Sequence, residues 1–298
     1  MCIVLAAASV WTAVLIGGFF WALWLLDVRD WRCYAVSLTS APVLEGVYWG
    51  NLTLLLLLPL AVAWRWRDRP HVAGAAIGVL VAAKLFAWPL VVWLLLTRRF
   101  VAAGWAVATS VVLVLASWAV IGFAGFADYP ALLGVLQDVY AVRSFSLSTI
   151  VGATGVPTTL SVGAGILVGV GLLCWAGSLV SRVDGDRRSY AVILAASVVA
   201  TPIVWPYYFA LFFVPIAIRW PRLALAWFFG QLIFLMEFLP AFSHSEAEPC
   251  CRPGDVPPLV WRISHVLPEP WRALGIAFVL GVLVCLLVRR RSDDVATS

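Results

Sequence analysis

Apolar residues run through this chain in long blocks. Residues 3–26, 102–123, 158–180, 221–241 and 272–289 read as predominantly apolar single crossings. Each approaches the roughly 20 residues of helix that cross a bilayer core about 30 Å thick. Three further blocks, 33–64, 72–97 and 189–218, are apolar but broken near the middle. The breakers are Pro42, Gly46 and Gly50, then Pro89, then Pro202 and Pro206. Proline and glycine at such places end helices or turn the chain. The period-2 alternation of a strand is missing, and only helices and closed barrels satisfy their backbone in lipid. The pattern predicts an all-α, polytopic integral membrane protein. Counting two limbs per broken block gives about eleven transmembrane helices or half-helices, in a single transmembrane domain over residues 1–298.

Charge orients this arrangement. Only 12% of residues are charged, so each basic cluster is informative. Six clusters hold 15 of the 20 Lys and Arg residues: Arg29/Arg32, Arg65/Arg67/Arg69, Arg98/Arg99, Arg182/Arg187/Arg188, Arg219/Arg222 and Arg289–Arg291. Basic residues favour the cytoplasmic side, and all six clusters can lie there together. The three broken blocks then become tight hairpins with outward tips. The N-terminus is expected outside and the tail 289–298 inside, in a multi-pass protein of the plasma membrane. External segments are expected at about 124–157 and 242–270. The first, with Pro130, should be partly helical. The second, rich in proline and bearing Cys250 and Cys251, should be an irregular or interfacial cap, with both cysteines as thiols or else paired with another chain. The net charge of +5 reflects topology rather than nucleic-acid binding, because the arginines sit at span ends.

The tips collect the chemistry. The first carries Glu45, Tyr48, Trp49 and Asn51. The second carries Trp88 and Lys84, the chain's single lysine. The third carries Thr201, Trp205, Tyr207 and Tyr208. A charge within an apolar span faces a polar cavity, a partner or a ligand; the other reading of Lys84 is a lysine snorkelling to the interface. Three tips on one face predict a shared outward pocket, or else three turns of an aromatic belt. Gly74 and Gly78 are spaced for close helix packing. No spacing matches a metal site, a phosphate loop or a nucleophile elbow, so no metal and no cofactor is expected.

Three elements resemble glycosyltransferase family 87. Gly50-Asn51 before an apolar run resembles the family's G-Q-x-N-x-L. The run from Ala73-Gly74 through Gly78, Lys84 and Pro89 to Arg98-Arg99 resembles its A-G-x-x-x-G-x-x-x-x-x-K-x-x-P run, which ends in a basic pair. Thr201-Pro-Ile-Val-Trp-Pro-Tyr-Tyr208 resembles its S-P-x-x-W-x-H-H. The resemblance covers roughly residues 1–241. It implies a GT-C-like fold and an enzyme moving a sugar from a polyprenyl-phosphate donor. The family glutamine is absent, and Tyr207 and Tyr208 stand where the family has histidines. The family's catalytic aspartate lies in a first external loop after an N-terminal span. This chain is expected to begin after that loop, and residues 1–26 also lack the basic n-region of a signal peptide.

The expected reaction transfers mannose, or arabinofuranose, to a cell-envelope glycolipid or glycan acceptor at the outer face. Lys84, and secondly Arg143, would stabilise the leaving phosphate. Glu45, Asp128 and Asp138 are the carboxylates placed to act as base, or else are solvated loop acids. Trp49, Trp88 and Trp205 could stack on sugar faces, and Asn51, Tyr207 and Tyr208 complete the expected substrate site. The alternatives are a transporter or flippase of a lipid-linked or anionic substrate, with Lys84 in its path, and a non-catalytic membrane assembly partner.

Overall fold

A computed structural model of the chain describes residues 2–140, 144–238 and 270–289. Every regular element among them is helical. In chain order they are α1 (Cys2–Leu25), α2 (Trp31–Leu38), α3 (Ala41–Tyr48), α4 (Thr53–Arg65), α5 (Pro70–Ala83), α6 (Pro89–Leu96) and α7 (Phe100–Val120). Then come α8 (Tyr129–Tyr140), α9 (Leu147–Gly152), α10 (Thr158–Val180), α11 (Gly185–Val199), α12 (Phe213–Arg219), α13 (Phe229–Phe238) and α14 (Pro270–Val288). Short 3₁₀ turns at Leu85–Ala87, Pro206–Phe212 and Leu225–Phe228 join some of them. Cys250, Cys251, most of the 242–270 segment, Arg143 and the tail from residue 290 lie outside the described residues.

Three of the described helices are long and apolar enough to cross a membrane: Ala6–Leu25 within α1, α7 and α10. The others are shorter. A helix of 13 residues such as α4 is about 20 Å long at 1.5 Å per residue, below the roughly 30 Å of a bilayer core. Sequence explains the interruptions. Proline occupies the first turn of α3, α5 and α6 and opens the 3₁₀ turn at Pro206, where its missing N–H costs nothing. Gly50 turns the chain at φ +58° between α3 and α4.

Close contacts set the directions. The Trp11 indole donates to the Gly50 carbonyl at 2.9 Å, and Gly18 lies against Leu55, so α1 and α4 run parallel. Gly74 lies against the Ala102 carbonyl, and Gly78 against Thr109 and the Ala106 carbonyl, so α5 and α7 also run parallel. The Gly74–Gly78 pair is thus a packing device within the chain. In the hairpin of α10 and α11, Gly169 meets Ala200 and Gly165 meets the Val199 carbonyl.

The arginine clusters meet at the opposite end from the hairpin tips. Asp186 at the start of α11 takes a two-pronged ion pair from Arg99, at 2.8 and 2.9 Å, and another from Arg67 at 3.1 Å. Arg99 also reaches Asp68 at 3.2 Å. Asp30 accepts from Arg32 and from the Leu223 N–H at 3.1 Å. The Arg32 bond first, and the Leu223 N–H next, hold the Asp30 carboxyl well below the usual carboxylate range. Arg219 donates to the Arg289 carbonyl at 3.3 Å. Arg29 and Arg65 follow the C-terminal ends of the parallel α1 and α4, so both groups of clusters share that end.

One expected element differs. The 221–241 stretch is not one helix from its start: Pro221 and Arg222 form bends, Ala224 is extended, and α13 begins only at Phe229. The Trp227 indole explains the break. It donates to the carbonyls of Trp220 at 3.0 Å and Arg222 at 3.2 Å, holding a turn where Pro221 offers no N–H.

Two outcomes are expected in detergent melts. Gly78→Val should lower stability by about 1–3 kcal/mol through overpacking against α7, whereas Gly104→Ala, with open space around it, should be neutral or gain up to about 1 kcal/mol of helix propensity. Asp186→Asn strips Arg99 and Arg67 of their shared carboxylate and should cost about 2 kcal/mol. A melting point unchanged by Asp186→Asn would show that the arginine end is held by something else.

Candidate functional site

The three hairpin tips converge. Helix α5 ends at Lys84, whose N–H still bonds the Leu80 carbonyl at 2.9 Å while its backbone turns extended (φ −147°, ψ 107°). That break turns the ammonium out of the helix line. In the first tip, Asn51 follows Gly50, and its N–H bonds the Gly46 carbonyl at 2.8 Å. The Asn51 Oδ1 accepts from the Thr53 N–H at 3.0 Å and the Thr53 hydroxyl at 2.7 Å. It also accepts from Lys84 Nζ at 3.3 Å, across 33 residues of sequence. One side chain therefore starts α4 and anchors the lysine.

The third tip supplies an aromatic wall. The Thr201 hydroxyl caps back onto the Ser197 carbonyl at 2.7 Å, Trp205 is extended, and Pro206 opens the turn that carries Tyr207 and Tyr208. Lys84 Nζ lies 4.3 Å from the Tyr208 ring centre and 5.3 Å from that of Tyr207, within cation–π range. Phe86, two residues beyond the lysine, stacks on Tyr208 at 4.9 Å. Glu45 stands on α3, the helix that packs against the turn carrying the two tyrosines. Among the described residues no carboxylate comes within ion-pair distance of Lys84. The half-buried ammonium is thus held by an amide oxygen and two ring faces, none of which cancels its charge.

The other expected site residues are placed as follows. Glu45 is half-buried beside this cluster, and Trp205 is half-buried at its edge. Trp49 is exposed and packs edge-on against Tyr48 at 5.1 Å; Trp88 is exposed in the second tip. Asp128 is exposed before α8, where its carbonyl accepts from the Leu132 N–H, and no described contact links it to Lys84. The backbone of Asp138 lies on α8. Arg143 lies outside the described residues. Two hollows lie elsewhere, one against Ala6, Ala7, Val10 and Trp11 of α1, the other against Phe278, Gly281, Val282, Cys285 and Leu286 of α14 and the Arg289 that follows it. Both are apolar and on helix surfaces, as expected of grooves that lipid chains fill. Among the described residues no three metal-ligating side chains gather.

Two contributors escaped the sequence reading. Phe86 and Thr53 look like ordinary apolar and helix-starting residues. The hydroxyl run Ser144, Ser146, Ser148 and Thr149, buried against the third tip, left a signal: four hydroxyls within six residues of a 63% hydrophobic chain.

Neither the curated proteins nor the solved structures contain a match to this chain. The sequence model described as Glycosyltransferase family 87 matches residues 2–206, spanning the first two tips and ending one residue before Tyr207. With that much of its length matched, the chain belongs to glycosyltransferase family 87 and is a membrane glycosyltransferase.

Proposed function

We propose that this protein transfers a sugar, mannose in the first place or arabinofuranose, from a polyprenyl-phosphate donor to a cell-envelope glycolipid or glycan. The observation that carries the reading is the Lys84 ammonium. It is half-buried at the meeting of three tips, oriented by Asn51 and walled by Tyr207 and Tyr208, and among the described residues no carboxylate pairs with it. An ammonium has three donors, and Asn51 takes one. The others are available to an anion.

In the proposed step the bond between the anomeric carbon and the donor's phosphate oxygen breaks. The leaving phosphate gains negative charge, and the acceptor oxygen bonds the anomeric carbon as its proton passes to a base. A fixed cation at the leaving oxygen stabilises that charge most in a water-poor site. Lys84 takes this role. Of the carboxylates named from sequence, Glu45 stands on α3, the helix that packs against the tyrosine-bearing turn, and we assign it the proton. Tyrosines ionise near pH 10 in water and serve as donors here rather than bases. Trp205 and the exposed Trp49 and Trp88 offer ring faces to sugars. With the arginine end cytoplasmic, the tips face outward, and the alternating elements make about eleven crossings in the plasma membrane.

Lys84→Ala should reduce sugar transfer by about 100-fold to 1,000-fold, the scale of losing one preorganised donor at a developing anion. Lys84→Arg should keep part of the activity, because its planar fork replaces a point charge imperfectly. The measurement is transfer of labelled mannose from polyprenyl-phosphate mannose in membranes, with expression and melting as controls. Full activity with Ala at position 84 would remove Lys84 from the site, and wild-type protein that binds no such donor would favour a transporter or assembly role.

Glu45→Gln keeps the shape and removes the base, so transfer should fall by about 100-fold to 10,000-fold with little change in donor binding. Equal activity of Glu45→Gln and wild type would place the base elsewhere.

A further inference from the structure

The third tip is not held by its own helices alone. Residues 144–149 come alongside residues 202–204, where the Phe145 N–H bonds the Val204 carbonyl at 2.8 Å. Around that bond sit four hydroxyls, Ser144, Ser146, Ser148 and Thr149, each 0–2% exposed. Their contacts fit one directed chain, in which the Pro202 carbonyl can only accept. Ser144 donates to Ser146 at 2.8 Å, Ser146 to Ser148 across 2.6 Å, and Ser148 to the Pro202 carbonyl at 3.1 Å. Thr149 donates back to the Ser144 carbonyl at 2.6 Å, and the Thr149 N–H reaches Ser146 at 3.4 Å to start α9. Every hydroxyl proton then has one acceptor, so the buried network is satisfied, and such chains strengthen their members. Being closed to solvent and internally paired, these hydroxyls serve the fold rather than a ligand.

We propose that this hydroxyl chain is a positioning latch for the reactive tip. Pro202 ends the backbone bonding of α11 and leaves a carbonyl that needs a donor. Ser148 supplies it. With Pro202 and Val204 pinned, Trp205 stays extended and the turn starting at Pro206 presents Tyr207 and Tyr208 to Lys84. The latch also has a reserve, since Ser144 lies 3.3 Å from the same carbonyl and can turn to it if Ser148 is lost. Each serine alone is therefore dispensable, and the pair is not. This coupling distinguishes a latch from four independent buried serines.

The inference rests on Lys84 marking the site, but its primary test needs no sugar. Lys84 is the only lysine in the chain, so its labelling by a membrane-impermeant amine-reactive ester, mapped by peptide mass spectrometry, reports on the packing around it. Ser144→Ala and Ser148→Ala should each change the labelling rate by less than about threefold, while the double variant should raise it about tenfold or more. Ser37→Ala, which removes a fully buried hydroxyl bonded to the Cys33 carbonyl in α2, controls for general loosening and should leave the rate unchanged. Ser144→Ala with Ser148→Thr keeps one hydroxyl at the carbonyl and should restore the slow rate. If the double variant does not fold, Thr149→Val keeps the side-chain shape, removes the bond to the Ser144 carbonyl, and should raise labelling at least about threefold. An additive double variant, or Ser37→Ala labelling as fast as the double, overturns the latch. In transfer assays the double variant should lower kcat more than it raises KM. Loss of the labelling effect with Lys84→Ala still inactive would refute the latch and leave the proposed function standing.

Discussion

A helix shorter than the bilayer has to turn at membrane depth, and the backbone groups freed by the turn have to find partners within the protein. This constraint organises the molecule. Helices α4, α5, α6 and α12 are each too short to cross alone. Their turns collect at one end, where the freed groups are met by Asn51, Thr53, Thr201 and the buried serines. The other end is closed by arginines on shared carboxylates. Asp186 joins three clusters, so the chain ends of four helices, α4, α6, α7 and α11, cannot drift apart. Fixing one end of each short hairpin fixes where its tip can stand. The Lys84 cluster and the arginine hub are two ends of one solution.

The way Lys84 is held bears on what it can do. A carboxylate partner would have satisfied the ammonium and neutralised it. An amide oxygen and two tyrosine faces hold it without removing its charge. The desolvation of a half-buried cation is then only partly offset, and an anion arriving there recovers the rest. Glu45 stands on α3, the helix that packs against the Pro206–Phe212 turn, and among the described residues it forms no ion pair with the lysine.

Much of this arrangement was legible in the sequence because its signals are local and strong. Six basic clusters and three sets of breakers placed the tips, and a lone lysine in an apolar run marked the second of them. The glycines of α5 announced a close packing, and the structure supplies α7 as the neighbour. What escaped depends on contacts between distant segments. Asp186 looks like a helix-starting acid, and only the fold brings Arg67 and Arg99 to it. The turn before α13 needed the Trp227 indole, whose partners at Trp220 and Arg222 are set by backbone geometry that hydropathy does not encode. Arg143 and Asp138, chosen for their place in an external segment, rested on position alone.

The tyrosine pair gives the site its particular character. In the family element that Thr201–Tyr208 resembles, histidines occupy these places, and a histidine can carry a proton and a charge near neutral pH. Tyrosine does neither, but its ring face attracts a cation and its hydroxyl donates a hydrogen bond. Replacing one pair by the other leaves Lys84 as the only cation in the described cluster. Where the Lys84 ammonium stands then depends on how rigidly Tyr207 and Tyr208 hold it. Rigidity at that point comes from Pro206 below the tyrosines and from the serine-bonded Pro202 carbonyl before them. Held there by the Phe145 N–H and the Ser148 hydroxyl, residues 202–204 fix the start of the turn that carries both tyrosines to Lys84.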